Sequence, residues 1–317
     1  MERFLGKRRE QNMIYDVVII GSGPAGLSAA IYGQRARLHT LVIEKQPMSG
    51  GQILNTYEVD NYPGLPGIGG FEMGMKFREH ADKLGAEFQT AEVQRLFTED
   101  GIHKIETPEG VIEGKTVILA TGAGHRRLNV PGEEELGGMG VSYCATCDGA
   151  FFKNRTVAVV GGGDVALEDA LFLARGCGKV YLIHRRDEFR GAKILQQRVK
   201  ETANIEILYD TVVEEIRGKD MVESITVYQK KEETRKELPV NGVFLAVGIL
   251  PNSEYAKGFV EMDEGGYVKA GEDCVTNVPG VFAAGDIRTK KLRQVITAAA
   301  DGANAITSVE EYLYRKG

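Results

Sequence analysis

The sequence contains no long run of apolar residues and no long run of Lys or Arg. Its most apolar stretch, residues 17–31, is interrupted by serines, a proline and several glycines, so we expect no transmembrane helix. The first dozen residues carry Lys7, Arg8 and Arg9 but lack the apolar segment of a secretory signal. These features predict a cytoplasmic protein with a solvated N-terminal tail.

The balance of charge argues against nucleic acid and membrane surfaces as partners. The 39 Lys and Arg are outnumbered by 45 Asp and Glu, so the net charge is -6 at pH 7. With 43% hydrophobic and 26% charged residues, the composition is that of a folded globular protein and excludes a disordered chain. A length of 317 residues predicts about two domains.

Cysteine is scarce, whereas glycine is abundant. Four cysteines are too few for a disulfide-stabilised scaffold in a chain of this size, and two of them, Cys144 and Cys147, form a Cys-x-x-Cys motif. The 40 glycines are about 13% of the residues, roughly twice the usual frequency. Many of them follow short runs of Val, Ile and Leu, which is typical of turns that end β-strands.

Short Val/Ile/Leu runs alternate with longer helical patterns, and this predicts the α/β class with parallel sheets. A strand, a glycine-rich turn, a helix and a second strand occur twice in this order, with turns at residues 21–26 (GSGPAG) and 161–166 (GGGDVA). The second strand ends at Glu44 in one copy and at His184 in the other, in each case 23 positions after the first glycine. We therefore expect two Rossmann-like dinucleotide-binding domains.

The order of the later strands predicts that one domain is inserted into the other. Each copy has a further apolar strand that ends in small residues, at 117–122 and 243–248. A third segment of this type, residues 281–286, follows the second copy and has no partner within it. We expect a discontinuous first domain of residues 1–124 and 251–317, an inserted second domain of residues 125–250, and linkers at 122–125 and 248–252.

The first glycine-rich turn predicts a dinucleotide site. Its three glycines allow a tight turn and let the backbone approach a pyrophosphate at a helix N-terminus, and Glu44 is placed to bind ribose hydroxyls. A turn that serves only helix–strand packing is the alternative. Asp286 and the segment 293–295 return to this domain, and an NAD domain does not need them, so we interpret the ligand as FAD. An ordinary turn or helix-capping role for Asp286 remains open.

The second glycine-rich turn predicts a nucleotide site with a different preference. Where the first copy has Glu44, this copy has His184, followed by Arg185, Arg186 and Arg190. Guanidinium groups bind a 2′-phosphate that a carboxylate would repel, so the substitution favours NADPH over NADH. The alternative is a solvated basic turn, since this segment also contains acidic residues.

Three interpretations of Cys144 and Cys147 compete. A zinc site requires two further ligands at matching spacing, whereas Cys177 and Cys274 are isolated. Incidental buried thiols describe Cys177 and Cys274 better than they describe an adjacent pair. A redox dithiol fits the Cys-x-x-Cys spacing, with Asp148 as a candidate acid, and predicts that electrons pass from NADPH through FAD to the two cysteines.

Several motifs in one order resemble the low-molecular-weight, bacterial-type thioredoxin reductases, over nearly the whole chain after the first dozen residues. The resemblance implies a flavoprotein disulfide oxidoreductase that forms a homodimer with FAD in each subunit, takes electrons from NADPH, and reduces thioredoxin or a thioredoxin-like protein. The motifs are GSGPAG, SGGQ at 49–52, NYPG at 61–64, ATGA at 120–123, CATCDG at 144–149, GGGDVA, HRRDEFR at 184–190, and GVFAAGDI with RQVITAA near the C-terminus.

The resemblance also implies roles for individual residues. Cys147 is expected to contact the flavin, Cys144 to attack the substrate disulfide, and Asp148 to manage the proton. No metal site is predicted. The candidate residues of the FAD site are Gly21, Ser22, Gly23, Pro24, Ala25, Gly26, Glu44, Lys45, Gly51, Gln52, Asn61, Val93, Ala120, Thr121, Gly122, Gly285, Asp286, Arg293, Gln294, Val295 and Ala298, and those of the NADPH site are Gly161, Gly163, Asp164, Val165, Ala166, His184, Arg185, Arg186 and Arg190.

Some alternatives for the function stay open. Val165 stands where the family usually carries a small hydroxyl residue, so a hydrogen bond to the phosphate is in doubt, and NADH or reduced ferredoxin is an alternative donor. A flavoprotein like ferredoxin–NADP reductase, which is expected to lack the cysteine pair, and a nucleotide-binding sensor without catalysis are further alternatives. Because nicotinamide and disulfide cannot occupy the same place beside the flavin, we expect the second domain to turn on its two linkers.

Overall fold

The computed structural model describes residues 13–56, 59 and 61–316, and the chain divides into two compact units. The basic tail at residues 7–9 lies outside the described residues. The segment 55–71 groups with the second unit, whereas the sequence assigned it to the first domain. Of the described residues, the first unit contains 13–54, 72–123 and 251–316, and the second contains those of 55–71 and 124–250.

In the first unit, strands rich in β-branched residues build a single sheet, and helices α1 and α6 pack on one of its faces. The first helix begins directly after the glycine-rich turn, with Pro24 in its first turn, where a missing N–H group leaves no hydrogen bond unmade. The elements are β1 (Ile14–Ile20), α1 (Pro24–Arg35), β2 (Thr40–Glu44), α2 (Gly70–Lys83), β3 (Glu87–Thr90), β4 (Arg95–Glu99), β5 (Ile102–Thr107), β6 (Gly110–Leu119), β17 (Val281–Ala283) and α6 (Val295–Lys316).

β1 lies inside this sheet and pairs in parallel with β2 and β6. The strand order is β3-β2-β1-β6-β5-β4, and the end of β6 also pairs in parallel with β17. The carboxyl ends of β1, β2, β6 and β17 therefore lie at one edge of the sheet. This edge is where α/β proteins bind nucleotides.

Both faces of the sheet are buried. Val17 and Ile19 belong to an apolar cluster with residues of α1 and α6, whereas Val18 and Ile20 belong to a second cluster with Val268. Because neighbouring side chains of a strand point to opposite faces, a strand buried on both sides needs a continuous apolar run. This explains why β1 shows no alternation of apolar and polar residues.

The second unit contains a parallel sheet of order β11-β10-β9-β15-β8 and a smaller antiparallel sheet of order β12-β13-β14. The parallel sheet matches the α/β prediction, whereas the antiparallel sheet was not predicted. The elements are β8 (Val141–Ser142), α3 (Ala145–Asp148), β9 (Thr156–Gly161), α4 (Asp164–Ala174), β10 (Lys179–Ile183), α5 (Lys193–Glu201), β11 (Ile205–Leu208), β12 (Thr211–Arg217), β13 (Ser224–Gln229), β14 (Thr234–Pro239) and β15 (Gly242–Ala246).

The two connecting segments are hydrogen-bonded to each other through strands β7 (Ala123–His125) and β16 (Ile249–Pro251). The N–H group of Arg126 donates to the carbonyl oxygen of Gly248 (2.9 Å), and that of Asn252 donates to the carbonyl oxygen of Gly122 (3.0 Å).

Short 3₁₀ helices lie at Gly51–Asn55, Gly149–Phe152, Glu254–Ala256 and Gly285–Ile287. Over the described residues, we find no helix with both the length and the apolar character that a membrane span needs.

Candidate active site

The glycine-rich turn between β1 and α1 leaves one position open beside its backbone. A Cβ atom at Gly21 would lie 2.5 Å from the carbonyl oxygen of Ala120, and one at Gly26 would overlap the carbonyl oxygen of Gly21. Both glycines are therefore required for packing. At Gly23, by contrast, a Cβ atom would meet no neighbouring atom within 4 Å. The space beside Gly23 suits the close approach of a pyrophosphate to the backbone.

Glu44, at the end of β2, is held against this turn. Its Oε2 atom accepts hydrogen bonds from the N–H group and the hydroxyl of Ser22 (2.8 and 2.7 Å), and its Oε1 atom accepts one from the N–H group of Gln46 (2.9 Å). A carboxylate has about four acceptor positions, so capacity remains for a ribose hydroxyl. The next residue, Lys45, forms a surface ion pair with Glu92 (2.6 Å).

Among the described residues, three buried polar side-chain atoms of the first unit have no hydrogen-bond partner, namely Nε2 of His103 and two atoms near the C-terminal helix. The latter two are Oδ1 of Asp286, in the 3₁₀ turn after β17, and Nε of Arg293, whose guanidinium lies 4.2 Å from the ring centre of Tyr267. Burial raises the pKa of Asp286, while nearby positive charges, first that of Lys290, oppose the shift. Unpartnered buried polar atoms are costly. The pair therefore fits a site that a polar ligand completes.

Asp301 of α6 holds the 3₁₀ turn in place. Its carboxylate accepts hydrogen bonds from the N–H group of Gly285 (2.9 Å), from Arg288 (2.6 and 2.8 Å) and from Lys290 (2.8 Å). All three charged side chains are buried. Burial alone would raise the pKa of Asp301, but Arg288 and Lys290 hold it below its ordinary value. At the next residue, Gly302, any side chain would overlap the backbone of α1, so α6 links this turn closely to the helix of the first glycine-rich turn.

The other candidate residues of the FAD site lie in the first unit, except Asn61, which lies in the segment 55–71. The loop before the 3₁₀ helix 51–55 contacts the glycine-rich turn, since the N–H group of Gly50 donates to the carbonyl oxygen of Ser22 (2.8 Å). Pro24 and Ala25 open α1, Gly51 and Gln52 open the 3₁₀ helix, Val93 follows β3, Ala120, Thr121 and Gly122 follow β6, Gln294 precedes α6, and Val295 and Ala298 lie in its first turn.

The second glycine-rich turn has the same arrangement as the first. A Cβ atom at Gly161 would clash with the carbonyl oxygen of Ala246, and one at Gly162 would overlap the ring of His184. Gly163, at the same register as Gly23, has no neighbouring atom within 4 Å of a Cβ position. Each turn is thus open at its third residue, beside the N-terminus of the following helix.

The basic segment after β10 lies next to this second turn. Arg185, Arg186 and Arg190 are exposed, and the N–H group of Arg190 donates to the carbonyl oxygen of Gly162 (2.8 Å). His184 is buried, and desolvation lowers its pKa. In the turn itself, Val165 is 58% exposed. The two flanking residues are Asp164, which accepts a hydrogen bond from the N–H group of Ala192 (2.6 Å), and the buried Ala166.

Cys144 and Cys147 form a disulfide with an S–S distance of 2.16 Å. Cys144 caps the N-terminus of α3, and its Sγ atom accepts a hydrogen bond from the N–H group of Cys147 (3.2 Å). The hydroxyl of Thr146 lies 3.4 Å from the same sulfur. Donors of this kind stabilise a thiolate over a thiol. The local geometry therefore favours Cys144 as the nucleophile of the reduced pair.

Asp148, directly after the pair, has one satisfied carboxylate oxygen and one orphaned oxygen. Its Oδ2 atom accepts a hydrogen bond from the hydroxyl of Ser142 (2.5 Å), whereas its Oδ1 atom is buried without a partner. Burial raises the pKa of Asp148, and the hydrogen bond from Ser142 opposes this shift. A carboxyl group in this environment is suited to proton exchange with neighbouring thiols.

The remaining cysteines, Cys177 and Cys274, are free, buried and part of separate apolar clusters. Burial raises the pKa of both thiols, to about 12 for Cys274. Buried thiols of this kind are poor nucleophiles.

Sequence reasoning found the reactive pair but missed Ser142 and Asp301. The only signal for Ser142 was a hydroxyl residue two positions before Cys144, and for Asp301 a polar residue beside Gly302 in an otherwise small-residue helix.

Two dinucleotide-type turns and a half-buried Cys-x-x-Cys disulfide beside a buried carboxyl group define a disulfide oxidoreductase that uses nucleotide cofactors. The family model described as pyridine nucleotide-disulphide oxidoreductase matches residues 15–302, and the chain belongs to this family.

Known proteins with high similarity are thioredoxin reductases. The chain is 44% identical over 307 residues to the thioredoxin reductase of Peptoclostridium acidaminophilum (95% of this chain, 97% of the relative) and 42% identical over 304 residues to that of Bacillus subtilis (96% of both chains). The crystal structure of the thioredoxin reductase from Streptococcus pyogenes matches with a TM-score of 0.91 and 42% identity, covering 96% of this chain and 99% of that one.

These comparisons confirm the resemblance stated from the motifs, the α/β class with two dinucleotide-binding folds, and the interpretation as an oxidoreductase with a redox-active cysteine pair. The family implies a flavin and a pyridine nucleotide as cofactors.

Proposed function

We propose that this protein is a thioredoxin reductase that passes electrons from NADPH, through FAD and the Cys144–Cys147 pair, to oxidised thioredoxin or a thioredoxin-like protein. The observation that carries the proposal is the disulfide itself, which has redox spacing, is followed directly in the sequence by Asp148 with its orphaned carboxylate oxygen, and lies in the same unit as the second glycine-rich turn. The names of the relatives, at 42–44% identity over nearly full length, support the choice of acceptor.

FAD is proposed for the first unit, and the residues there fit it. The open position at Gly23 and the N-terminus of α1 suit the pyrophosphate, Glu44 has acceptor capacity for the ribose, and the orphaned atoms of Asp286 and Arg293 await polar partners. Once bound, a flavin supplies a two-electron carrier that can exchange electrons with both a nicotinamide and a dithiol. Asn61 is retained as a proposed contact, although it groups with the other unit.

NADPH is proposed for the second unit. The open position at Gly163 repeats that at Gly23, and the exposed Arg185, Arg186 and Arg190 supply the guanidinium groups that a 2′-phosphate requires. The exposed Val165 lacks a hydroxyl for the phosphate, so backbone N–H groups of the turn must carry that contact.

The exchange with the protein substrate follows from the geometry of the pair. The Cys144 thiolate attacks one sulfur of the substrate disulfide, so that a Cys144–substrate bond forms, the substrate bond breaks, and the other substrate sulfur leaves as a thiolate. The Cys147 thiolate then attacks the sulfur of Cys144, re-forms the Cys144–Cys147 bond, and releases the second substrate thiolate. The dithiol loses two electrons, the substrate gains them, and each released thiolate takes up one proton.

Several further features belong to the same proposal. The second unit turns on the linkers 122–125 and 248–252, so that nicotinamide and dithiol reach the flavin in turn. The enzyme works in the cytoplasm as a homodimer, without a nucleic-acid or membrane partner. The net charge of -6 supports this last point.

An anaerobic titration of the purified holoenzyme tests the proposal. We expect NADPH to bleach the flavin absorbance and oxidised thioredoxin to restore it. Cys147→Ser is expected to keep bleaching by NADPH and to abolish thioredoxin reduction, whereas Cys177→Ser, at a buried free thiol, is the matched control that retains both. A yellow protein whose Cys144–Cys147 disulfide stays oxidised under NADPH, NADH and reduced ferredoxin would contradict the proposal. Bleaching by NADH or ferredoxin alone would identify another donor.

A further inference from the structure

The hydroxyl of Ser142 lies between the first cysteine and the acid of the redox motif. Its oxygen accepts a hydrogen bond from the N–H group of Cys144 (3.1 Å), and the hydroxyl donates to Oδ2 of Asp148 (2.5 Å). The carbonyl oxygen of Cys144 lies farther away, at 3.3 Å. A hydroxyl carries a single hydrogen. The shorter contact to a carboxylate therefore determines its direction.

Ser142 is itself fixed by the fold. It ends β8, lies opposite Phe244 of β15 in the parallel sheet, and is only 6% exposed. A side chain on a buried strand has little freedom to reorient. The Ser142 hydroxyl is thus a donor held in place by the sheet, and its hydrogen bond to Oδ2 fixes the direction of the orphaned Oδ1.

We propose that Ser142 is a positioning residue for Asp148: its hydroxyl donates to Oδ2 and orients the carboxyl group, so that the unpartnered Oδ1 takes up and returns the proton of the Cys144–Cys147 dithiol. The inference rests on the proposed function. It adds a residue that neither touches the substrate nor changes oxidation state. During exchange, the proton that leaves a thiol is held at Oδ1 of Asp148 and is returned to a leaving thiolate, so that the number of protons balances.

The titratable groups near Asp148 in the chain are Cys144 at the N-cap of α3, Cys147 on α3, and Tyr143, whose pKa is raised by burial and by its hydrogen bond to Glu133. The 3₁₀ helix 149–152, β8 and β15 carry none. On α4, which packs against α3, they are Asp164, Glu168 and Asp169. Asp164 is engaged with the backbone of Ala192, whereas burial and then the charge of Glu168 raise the pKa of Asp169 to about 7. Asp169 is therefore the group that must be separated from Asp148 by experiment.

Loss of the Ser142 hydroxyl is expected to raise the pKa of Asp148 beyond the value that burial already imposes, by about one to two units. The readout is the pH dependence of the alkylation of the cysteine pair by iodoacetamide, in holoenzyme previously reduced with dithiothreitol. Protonation of Asp148 removes a negative charge beside the thiols, so the alkylation curve has an inflection at the pKa of this carboxyl group.

The test compares two variants of the same shape. Ser142→Thr keeps the hydroxyl and is expected to keep the inflection near the wild-type pH, whereas Ser142→Val is expected to move it upward by about one to two pH units. Ser142→Ala provides a second variant without the hydroxyl. Ser224→Ala is the matched control, because Ser224 is a buried serine of the same unit that donates to a carboxylate, that of Glu237 (2.6 Å), on the separate antiparallel sheet.

Three further variants test whether the inflection belongs to Asp148. Asp148→Asn should remove the inflection, and Ser142→Val in that background should then have no effect, whereas Asp169→Asn should leave the inflection in place. Equal curves for the Thr and Val variants, or a shift that persists with Asp148→Asn, would overturn the inference. Because the probe needs neither NADPH nor thioredoxin, this result is independent of whether the wild-type protein reduces thioredoxin, which is measured separately.

Discussion

Three buried carboxylates of this chain differ in the number of hydrogen-bond donors that reach them. Within the described part of the chain, the Asp301 carboxylate is contacted by Gly285, Arg288 and Lys290, that of Asp148 by Ser142, and Oδ1 of Asp286 by no donor. A fully paired carboxylate stays charged and stabilises the fold, whereas a partly paired one is available to a proton or a ligand. At the residue scale, the number of hydrogen-bond donors that reach a buried carboxylate therefore distinguishes a structural role from a chemical one.

Asp301→Asn is expected to destabilise the protein, since it leaves Arg288 and Lys290 buried without a counter-charge. Removing one partner of a buried ion pair costs about 3–5 kcal/mol, and a chemical denaturation curve of the apoprotein measures it. Glu311→Gln, which removes an exposed partner of Arg315, is the control, with an expected change below about 1 kcal/mol. Equal stability of both variants would contradict the role assigned to Asp301.

The pH dependence of this contribution follows from the lowered pKa of Asp301. A carboxyl group whose folded pKa lies below its unfolded value binds more protons when unfolded, so its stabilisation is complete above the unfolded value of 3.8. The stabilisation is lost as the pH falls through the folded pKa. The difference in unfolding free energy between wild type and Asp301→Asn should therefore shrink below about pH 4.

Individual roles were only partly predictable from the sequence. The sequence identified Asp148 because this residue directly follows Cys147, but it did not identify the burial and the hydrogen bonding of the carboxyl group. Ser142 and Asp301 act through contacts with residues that are near in space, by way of a strand pairing in one case and a helix packing in the other. Serine and aspartate are common at solvent-exposed positions. The roles of Ser142 and Asp301 depend on their burial, which the sequence does not show.

At the scale of elements, the two strand–turn–helix units show how a repeated pattern yields a repeated geometry. Both helices begin after a glycine with extended backbone, Gly23 (φ -73°, ψ -175°) and Gly163 (φ -95°, ψ -177°). Neither conformation needs glycine, and a Cβ atom at either position meets open space. The fold therefore does not require glycine at these two positions, which agrees with their proposed place beside a ligand.

Gly23→Ala and Gly163→Ala form a matched pair of variants that tests this assignment. Both are expected to fold with a stability within about 1 kcal/mol of the wild type. Gly23→Ala should weaken FAD retention by tenfold or more, about 1.4 kcal/mol, whereas Gly163→Ala should keep FAD and raise the KM for NADPH by a similar factor. Flavin release on dilution and steady-state kinetics measure the two effects. Gly26→Ala, which overlaps the backbone of Gly21, is the comparison that should fail to fold.

The elements that sequence predicted best are those with strong local signals. Apolar runs bounded by glycine predicted β1, β2, β9 and β10 and the helices between them. The antiparallel sheet β12-β13-β14 was not predicted, because β14 is largely exposed and its side chains are mostly polar. The pairing of β17 with β6 depends on residues far apart in sequence. From an unmatched strand end, the sequence predicted only that the segment 281–286 returns to the first domain.

At the scale of the whole molecule, the proposed alternation of half-reactions depends on the two linkers. Gly248 has φ +117°, a region that side chains disfavour, and a Cβ atom there would lie 3.4 Å from the side chain of Arg126. Gly248 begins the linker 248–252, Arg126 directly follows the linker 122–125, and the strands β7 and β16 of the two linkers pair with each other. A substitution at Gly248 thus acts on the backbone of a linker without touching either glycine-rich turn.

Gly248→Ala is expected to slow steady-state thioredoxin reduction while leaving FAD retention and NADPH binding unchanged. The backbone strain is about 1–2 kcal/mol, which makes any arrangement that keeps φ positive at this residue about tenfold less populated. Gly110→Ala is the matched control, because Gly110 has φ +141°, begins β6 outside both linkers, and has no neighbouring atom within 4 Å of a Cβ position. Both variants introduce the same kind of backbone strain. A difference in turnover between them is therefore expected only if the linker must turn. Equal turnover in the two would show that the backbone at Gly248 takes no part in the alternation.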